Sequence, residues 1–174
     1  MTLAGLTFGW SFVGYFAVVI ATAALLHHLR YMPRFFSLVS LPGTVGHELL
    51  HFLVGTVTLA KPVKVSLLPK FHRDGSATLG YVMFSNIRWY NALWVGFAPL
   101  LALPAAFWLI YFRAAHIPPL EPMELAWSYV AASLAYSCLP SRADVDIVLS
   151  KPVGLAAYAC AAAALLWYCF APGS

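Results

Sequence analysis

His47-Glu48-Leu49-Leu50-His51 puts two imidazoles and a carboxylate in the order that metal-assisted hydrolysis uses. On a helix, positions i and i+4 share a face, so both imidazoles can reach one ion. Glu48 lies beside them, where a general base acting on water belongs. The motif sits inside an apolar run from Phe35 to Ala60. Titratable groups are costly in hydrocarbon, so three together in such a run point to function. Two histidines can also simply hydrogen-bond within a helix bundle, but that reading leaves Glu48 without a task. The run extends about 18 Å before His47 and about 14 Å beyond His51 if helical, so the motif falls near its middle.

A hydrolytic zinc site has three protein ligands and one open position. His47 and His51 supply two. The third must come from Asp74, Glu121, Glu124, Asp144, Asp146, His72, His116 or the His27–His28 pair. Adjacent histidines point to different faces of a helix, so His27 and His28 read as interfacial residues. Asp144 and Asp146 are the only carboxylates bordered on both sides by apolar sequence. They serve equally well as surface partners of Arg142 or Lys151, so the residues alone leave both uses open.

The elements that must position these groups are helical and apolar. The chain has 174 residues, 62% hydrophobic and 9% charged, with mean hydropathy +0.81. That composition predicts an all-α polytopic membrane protein, a single membrane domain over residues 1–174. Five apolar runs are candidate transmembrane helices: Phe8–Leu29, Phe35–Ala60, Trp89–Phe112, Leu125–Leu139 and Val153–Ala171. The fourth, at about 22 Å, is short for a crossing. Pro42 and Gly43 mark a break before the motif, and Pro99 and Pro104 interrupt the third run. Between the second and third runs, Asp74-Gly75 separates two β-prone segments and predicts a short membrane-associated β-hairpin. An open strand edge cannot face lipid, so the hairpin belongs at the interface or against protein.

Net charge is +4 and the pI is near 9.1, but the cations are scattered through short loops. They read as topology signals facing anionic head groups, and nucleic acid is not an expected partner. A cytoplasmic amino terminus puts Lys61, Lys64, Lys70, Arg73, Arg88, Arg142 and Lys151 inside, and Arg30, Arg34 and Arg113 outside. The uncharged stretch Met1–Gly9 runs on into the first apolar segment, which argues against a cleaved signal peptide. Cys138, Cys160 and Cys169 fit neither a disulfide framework nor a zinc knuckle and are expected as small buried hydrophobes.

The segment Pro42-Gly43-Thr44-Val45-Gly46-His47-Glu48-Leu49-Leu50-His51 resembles the active-site helix of the site-2 protease family of intramembrane zinc metalloproteases. In that family an aspartate following a Leu-Pro element is the third zinc ligand. Ser137-Cys138-Leu139-Pro140-Ser141-Arg142-Ala143-Asp144 resembles that element and implies Asp144 as ligand, with Asp146 in reserve. Gly96-Phe97-Ala98-Pro99 resembles the second core helix, and the hairpin resembles the family's membrane-associated β-structure. The likeness covers residues 35–150, the metalloprotease core. Members commonly carry Leu-Asp-Gly, with an asparagine three residues before the proline; here Ala143-Asp144-Val145 and Ser137 stand instead.

The resemblance implies hydrolysis of peptide bonds in membrane-embedded substrates, with zinc held by His47, His51 and Asp144 and Glu48 activating water. The expected partners are a transmembrane protein substrate and the lipid bilayer, and the expected home is a bacterial or archaeal cell membrane. Three rival readings remain. A different membrane metalloprotease would take its third ligand from Glu121 or Glu124. A non-catalytic metal-binding protein would not need Glu48. A transporter fits poorly with five short runs and no internal repeat.

Overall fold

Helix-forming apolar residues fill most of the chain, and prolines decide where the helices stop. The computed structural model describes residues 2–3, 6–7, 10–73, 77–115 and 121–170. A two-residue antiparallel pair, β1 (Thr2–Leu3) and β2 (Leu6–Thr7), precedes α1 (Trp10–Leu29). Then come α2 (Pro33–Val39) and α3 (Leu41–Val57), followed by strands β3 (Pro62–Ser66), β4 (Lys70–Phe71), β5 (Ala77–Thr78) and β6 (Tyr81–Phe84). The second half holds α4 (Ala92–Gly96), a 3-10 turn at Ala98–Leu101, α5 (Ala102–Ala114), α6 (Pro122–Tyr136), α7 (Arg142–Leu149) and α8 (Pro152–Phe170).

Two helices are long and apolar enough to cross a membrane: α1, over Phe12–Leu29, and α8. Buried core helices of soluble proteins can match them in length and composition, but only 17% of the first span and 6% of the second is buried. Five crossing helices, the expectation from hydropathy, are not supported. Proline explains the difference, because it offers no N–H to the carbonyl four residues back and its ring crowds that carbonyl. Pro42 denies a donor to Leu38, and the second run splits at Ser40 into helices of 7 and 17 residues. Pro99 does the same to Val95, and the third run becomes a 5-residue helix, a 3-10 turn and a 13-residue helix. Pro140 faces Tyr136, where α6 stops after 15 residues. At 1.5 Å per residue α3 reaches about 26 Å and α6 about 23 Å, less than the hydrocarbon thickness of about 30 Å.

The apolar centre lies between α1, α5 and α6, where Tyr15, Val19, Ala106, Ile110, Ala131 and Ala132 are buried together. Glu124, on α6, is buried there too. It pairs with Arg113 from the end of α5 and accepts a 2.5 Å hydrogen bond from the Tyr15 hydroxyl of α1. The helix carrying the motif packs on α6 through glycines. A Cβ on Gly43 would run into the Ser133 carbonyl and the Ser137 hydroxyl, and one on Gly46 into the Leu134 side chain. Residues 43, 46 and 47 lie on adjoining positions of one helix surface, so close packing there carries His47 to the end of α6.

The strands form the expected hairpin. Strands β3 and β6 are antiparallel with Lys64 opposite Met83, Val65 opposite Val82 and Ser66 opposite Tyr81, and a bulge lies between Pro62 and Lys64. Strands β4 and β5 extend the pairing, with Lys70 opposite Thr78. Asp74-Gly75, the turn signal, lies outside the described residues. Among the described residues the cysteines are free, as expected, but only Cys138 is buried; Cys160 and Cys169 lie on the exposed surface of α8.

A polar clamp fixes where α3 ends and the hairpin begins. Leu59 and Lys61 have φ of 60° and 56°, a left-handed conformation that costs a side-chain-bearing residue about 1–2 kcal/mol. The Asn86 amide donates to the Leu59 carbonyl at 2.8 Å. Fully buried Asn91 donates to the Thr58 and Asn86 carbonyls at 3.2 and 3.0 Å and accepts from the Arg88 N–H at 2.7 Å. Asn91→Ala removes all three bonds and is expected to cost about 2 kcal/mol. Chemical unfolding in detergent, against the exposed control Asp146→Asn, measures the loss.

Candidate metal centre

Helix α3 presents His47 and His51 one turn apart, with ring centroids 4.8 Å from each other. Each ring is held from behind by a backbone carbonyl. His47 Nδ1 lies 2.7 Å from the Ser137 oxygen, and His51 Nδ1 lies 2.9 Å from the Val95 oxygen. A carbonyl only accepts, so both Nδ1 atoms carry the proton and donate. That leaves both Nε2 lone pairs facing forward, the tautomer a ligand needs.

The acceptor carbonyls sit at helix ends. Ser137 caps α6, and the N–H four residues on, from Ser141, turns away to donate to Asp144 Oδ2 at 2.7 Å. Ser141 is itself the N-cap of α7: its hydroxyl accepts from the Asp144 N–H at 3.3 Å, completing a reciprocal capping box. The box fixes Asp144 in the first turn of α7 with its carboxylate pointed at α3. Helix α4 presses on that turn, since a Cβ on Gly96 would stand 2.6 Å from the Asp144 carbonyl oxygen.

The three donors converge. His51 Nε2 is 3.0 Å from Asp144 Oδ1, His47 Nε2 is 3.4 Å from Asp144 Oδ2, and the two Nε2 atoms are 3.2 Å apart. Two lone pairs and a carboxylate repel one another unless a cation lies among them, so the chemistry of this donor set fits a metal ion. His47, His51 and Asp144 could hold one.

Glu48 is buried beside the triad, and the hairpin covers it. A Cβ on Gly80 would stand 2.7 Å from Glu48 Cγ and 3.0 Å from the Ser66 carbonyl, so only glycine lets the strand approach this closely. The triad and Glu48 open into a cavity of about 530 Å3, also lined by Leu79–Val82, Phe84, Tyr136 and Leu139. Tyr81, on its wall, has the Lys64 and Lys70 ammonium groups 5.7 and 5.4 Å from its ring centre. Hydrogen bonding to Lys64, and then to Lys70, holds its hydroxyl below the usual phenol pKa.

The other candidate ligands are placed elsewhere. Asp146 is exposed on α7, two residues on from Asp144 and turned to another face. Glu124 is spent on Arg113 and Tyr15, and Glu121 is exposed ahead of α6. His27 and His28 end α1 on the exposed side, and His72 pairs with the Thr78 hydroxyl at 2.9 Å. Asp74 and His116 lie outside the described residues. Sequence reasoning did not find the Val95 and Ser137 carbonyls, which any residue could supply, or the contact of Gly80 with Glu48. A glycine inside the β-prone run from Ala77 to Phe84 was the one available signal for that contact.

Comparison with family models, with curated proteins and with solved structures returns no match to this chain.

Asp144→Ala removes one of three donors together with the reciprocal cap. It is expected to weaken divalent-metal binding by more than about 100-fold, beyond what loss of an outer partner costs, and to destabilise α7 by about 1 kcal/mol. Asp146→Ala is expected to leave metal uptake unchanged. Metal content after dialysis, read beside thermal unfolding, separates the two.

Proposed function

We propose that this chain is an intramembrane zinc metalloprotease of the site-2 protease type. The observation that carries the reading is the meeting of His47, His51 and Asp144 with buried Glu48 at one cavity. The two Nε2 atoms are 3.2 Å apart, and Asp144 offers Oδ1 to His51 at 3.0 Å and Oδ2 to His47 at 3.4 Å. One ligand atom from each of the three residues lies within 4.8 Å of the others, and together they would hold a metal ion. A purely metal-binding role leaves buried Glu48 unexplained.

When bound, zinc supplies a Lewis acid that polarises a carbonyl and lowers the pKa of water towards about 7. The Glu48 carboxylate accepts the proton from the attacking water and passes it to the leaving amine. The Ser137 and Val95 carbonyls keep the imidazoles in the ligating tautomer throughout. The hairpin helps to screen Glu48 from bulk water. A helical substrate hides its carbonyls in its own hydrogen bonds and must unwind to be cut. Strand β6 pairs with β3 on one edge, while residues 79–82 and Phe84 line the cavity, so an extended substrate segment can add there as a strand.

The setting is a membrane, with α1 and α8 crossing it and the broken helices held between them. Irregular backbone at membrane depth is tolerated where protein surrounds it or where it lines a cavity, and the breaks at α4 and α7 do both. Leu53, Leu103, Trp108 and Phe112 are exposed on the outer faces of α3 and α5, as lipid contact requires. A cytoplasmic amino terminus with the hairpin on the same side, the arrangement that lysine and arginine placement favours, requires the broken second run, α2 with α3, to traverse the bilayer as well. Reporters fused at the amino terminus and inserted between residues 74 and 76 are expected to read as cytoplasmic. A hairpin reporter on the far side from a cytoplasmic amino terminus shows that the second run does not traverse.

Glu48→Gln tests the chemistry. It keeps the side-chain shape and all three donors, so zinc content should match wild type. Cleavage of transmembrane peptides in proteoliposomes should fall by at least about 100-fold, the lower range for loss of a general base. Wild-type turnover by this variant would end the protease reading.

A further inference from the structure

We propose that Pro99 is a positioning residue for the metal centre: by withholding a backbone N–H, it reserves the Val95 carbonyl for His51. The proposal rests on the metal-site reading and concerns a residue that contacts neither ion nor substrate. The ladder of α4 runs regularly up to residue 97, with Val95 N–H bonded to the Asn91 carbonyl at 2.9 Å and Phe97 N–H to the Leu93 carbonyl at 3.0 Å. The next donors in that ladder are residues 98 and 99, and the partner of the Val95 carbonyl would be residue 99. Proline has no N–H, and its ring crowds the carbonyl four residues back, so that carbonyl leaves the ladder. The backbone changes to a 3-10 turn at Ala98–Leu101.

The freed oxygen does not meet water, because Val95 is fully buried. It accepts from His51 Nδ1 at 2.9 Å instead. Buried carbonyls without partners are rare and costly, so the match satisfies the carbonyl as well as the ring. The other proline breaks do not act this way: Pro42 stands four residues after Leu38 and Pro140 four after Tyr136, and neither of those carbonyls holds a ligand ring. Ser137, which holds His47, loses its helical donor to Asp144 rather than to a proline. Pro99→Ala restores an N–H whose nearest natural acceptor is the Val95 carbonyl. Deprived of its acceptor, His51 can take the Nε2–H tautomer, in which the nitrogen facing Asp144 no longer has a lone pair for metal.

The test uses the full chain in detergent, with zinc alone as probe. Competition against a chromophoric chelator gives affinities for wild type, Pro99→Ala, Pro99→Gly and the control Pro104→Ala in the first turn of α5. Ring nitrogen NMR of the metal-free, 15N-histidine-labelled proteins gives the tautomer, with His51 assigned by its loss in His51→Ala. The expected result is a zinc affinity about 10–100-fold weaker in both Pro99 variants, wild-type affinity in Pro104→Ala, and a shift of His51 from the Nδ1–H to the Nε2–H tautomer. Pro99 variants that bind zinc like wild type overturn this proposal and leave the metal site standing. Weaker binding with an unchanged His51 tautomer also overturns it, since Pro99 would then act only on the fold. A wild type that takes up no zinc removes the metal site and this proposal together. Should both Pro99 variants fail to fold, the wild-type spectrum decides: Nδ1–H at His51 supports the proposal and Nε2–H overturns it.

Discussion

Two imidazole lone pairs and a carboxylate crowded within 3.0–3.4 Å repel one another in the absence of a cation, and a flexible scaffold would let them part. Much of the remaining structure can be understood as what prevents that parting. Each donor is anchored from behind by a backbone group: Ser137 for His47, Val95 for His51 and the Ser141 N–H for Asp144. Backbone anchors have no side-chain entropy of their own to lose, and in this interior they meet little competition from water. The glycines complete the enclosure. Gly43 and Gly46 let α3 sit against α6, and Gly96 lets α4 sit against the first turn of α7, at distances that a methyl group would forbid.

The reactive core was largely readable from sequence, and the architecture around it less so. His47, Glu48 and His51 declare themselves because helical spacing turns their order into geometry. Asp144 could be chosen over Asp146 only through a resemblance, since both sit in the same polar patch. The structure separates them by helix face: Asp144 faces the histidines, and Asp146 is exposed. Of the five apolar runs only the first and last form single helices long enough to cross, because hydropathy sums side chains over a window, whereas continuity of a helix is decided by single backbone donors. Pro42 and Pro99 each remove one, and a run that looks continuous in polarity becomes two or three short helices, while Pro140 stands where the short fourth run ends. The supporting carbonyls could not be read at all, because every residue type carries one.

The hairpin links the site to whatever reaches it. Gly80 lets the strand segment lie on Glu48, and the neighbouring residues 79–82 line the same cavity as the triad. Its outward residues combine Lys64 and Lys70 with exposed Val63, Leu68 and Met83, while Tyr81 between the two lysines turns to the cavity. The clamp of Asn86 and Asn91 on the end of α3 sets where this cover begins. Cover and site therefore meet at one junction, the end of the helix that carries Glu48 and both histidines.

The Arg113–Glu124 pair decides how three helices are tied together. The two residues stand at facing ends of α5 and α6, eleven positions apart, and the Tyr15 hydroxyl of α1 donates to the same carboxylate. A buried carboxylate is costly unless its charge is matched and its oxygens are hydrogen-bonded, and here one helix supplies the charge and another the extra donor. Loss of either partner would leave an unmatched group in the packed centre, so α1, α5 and α6 hold or loosen together at this one point.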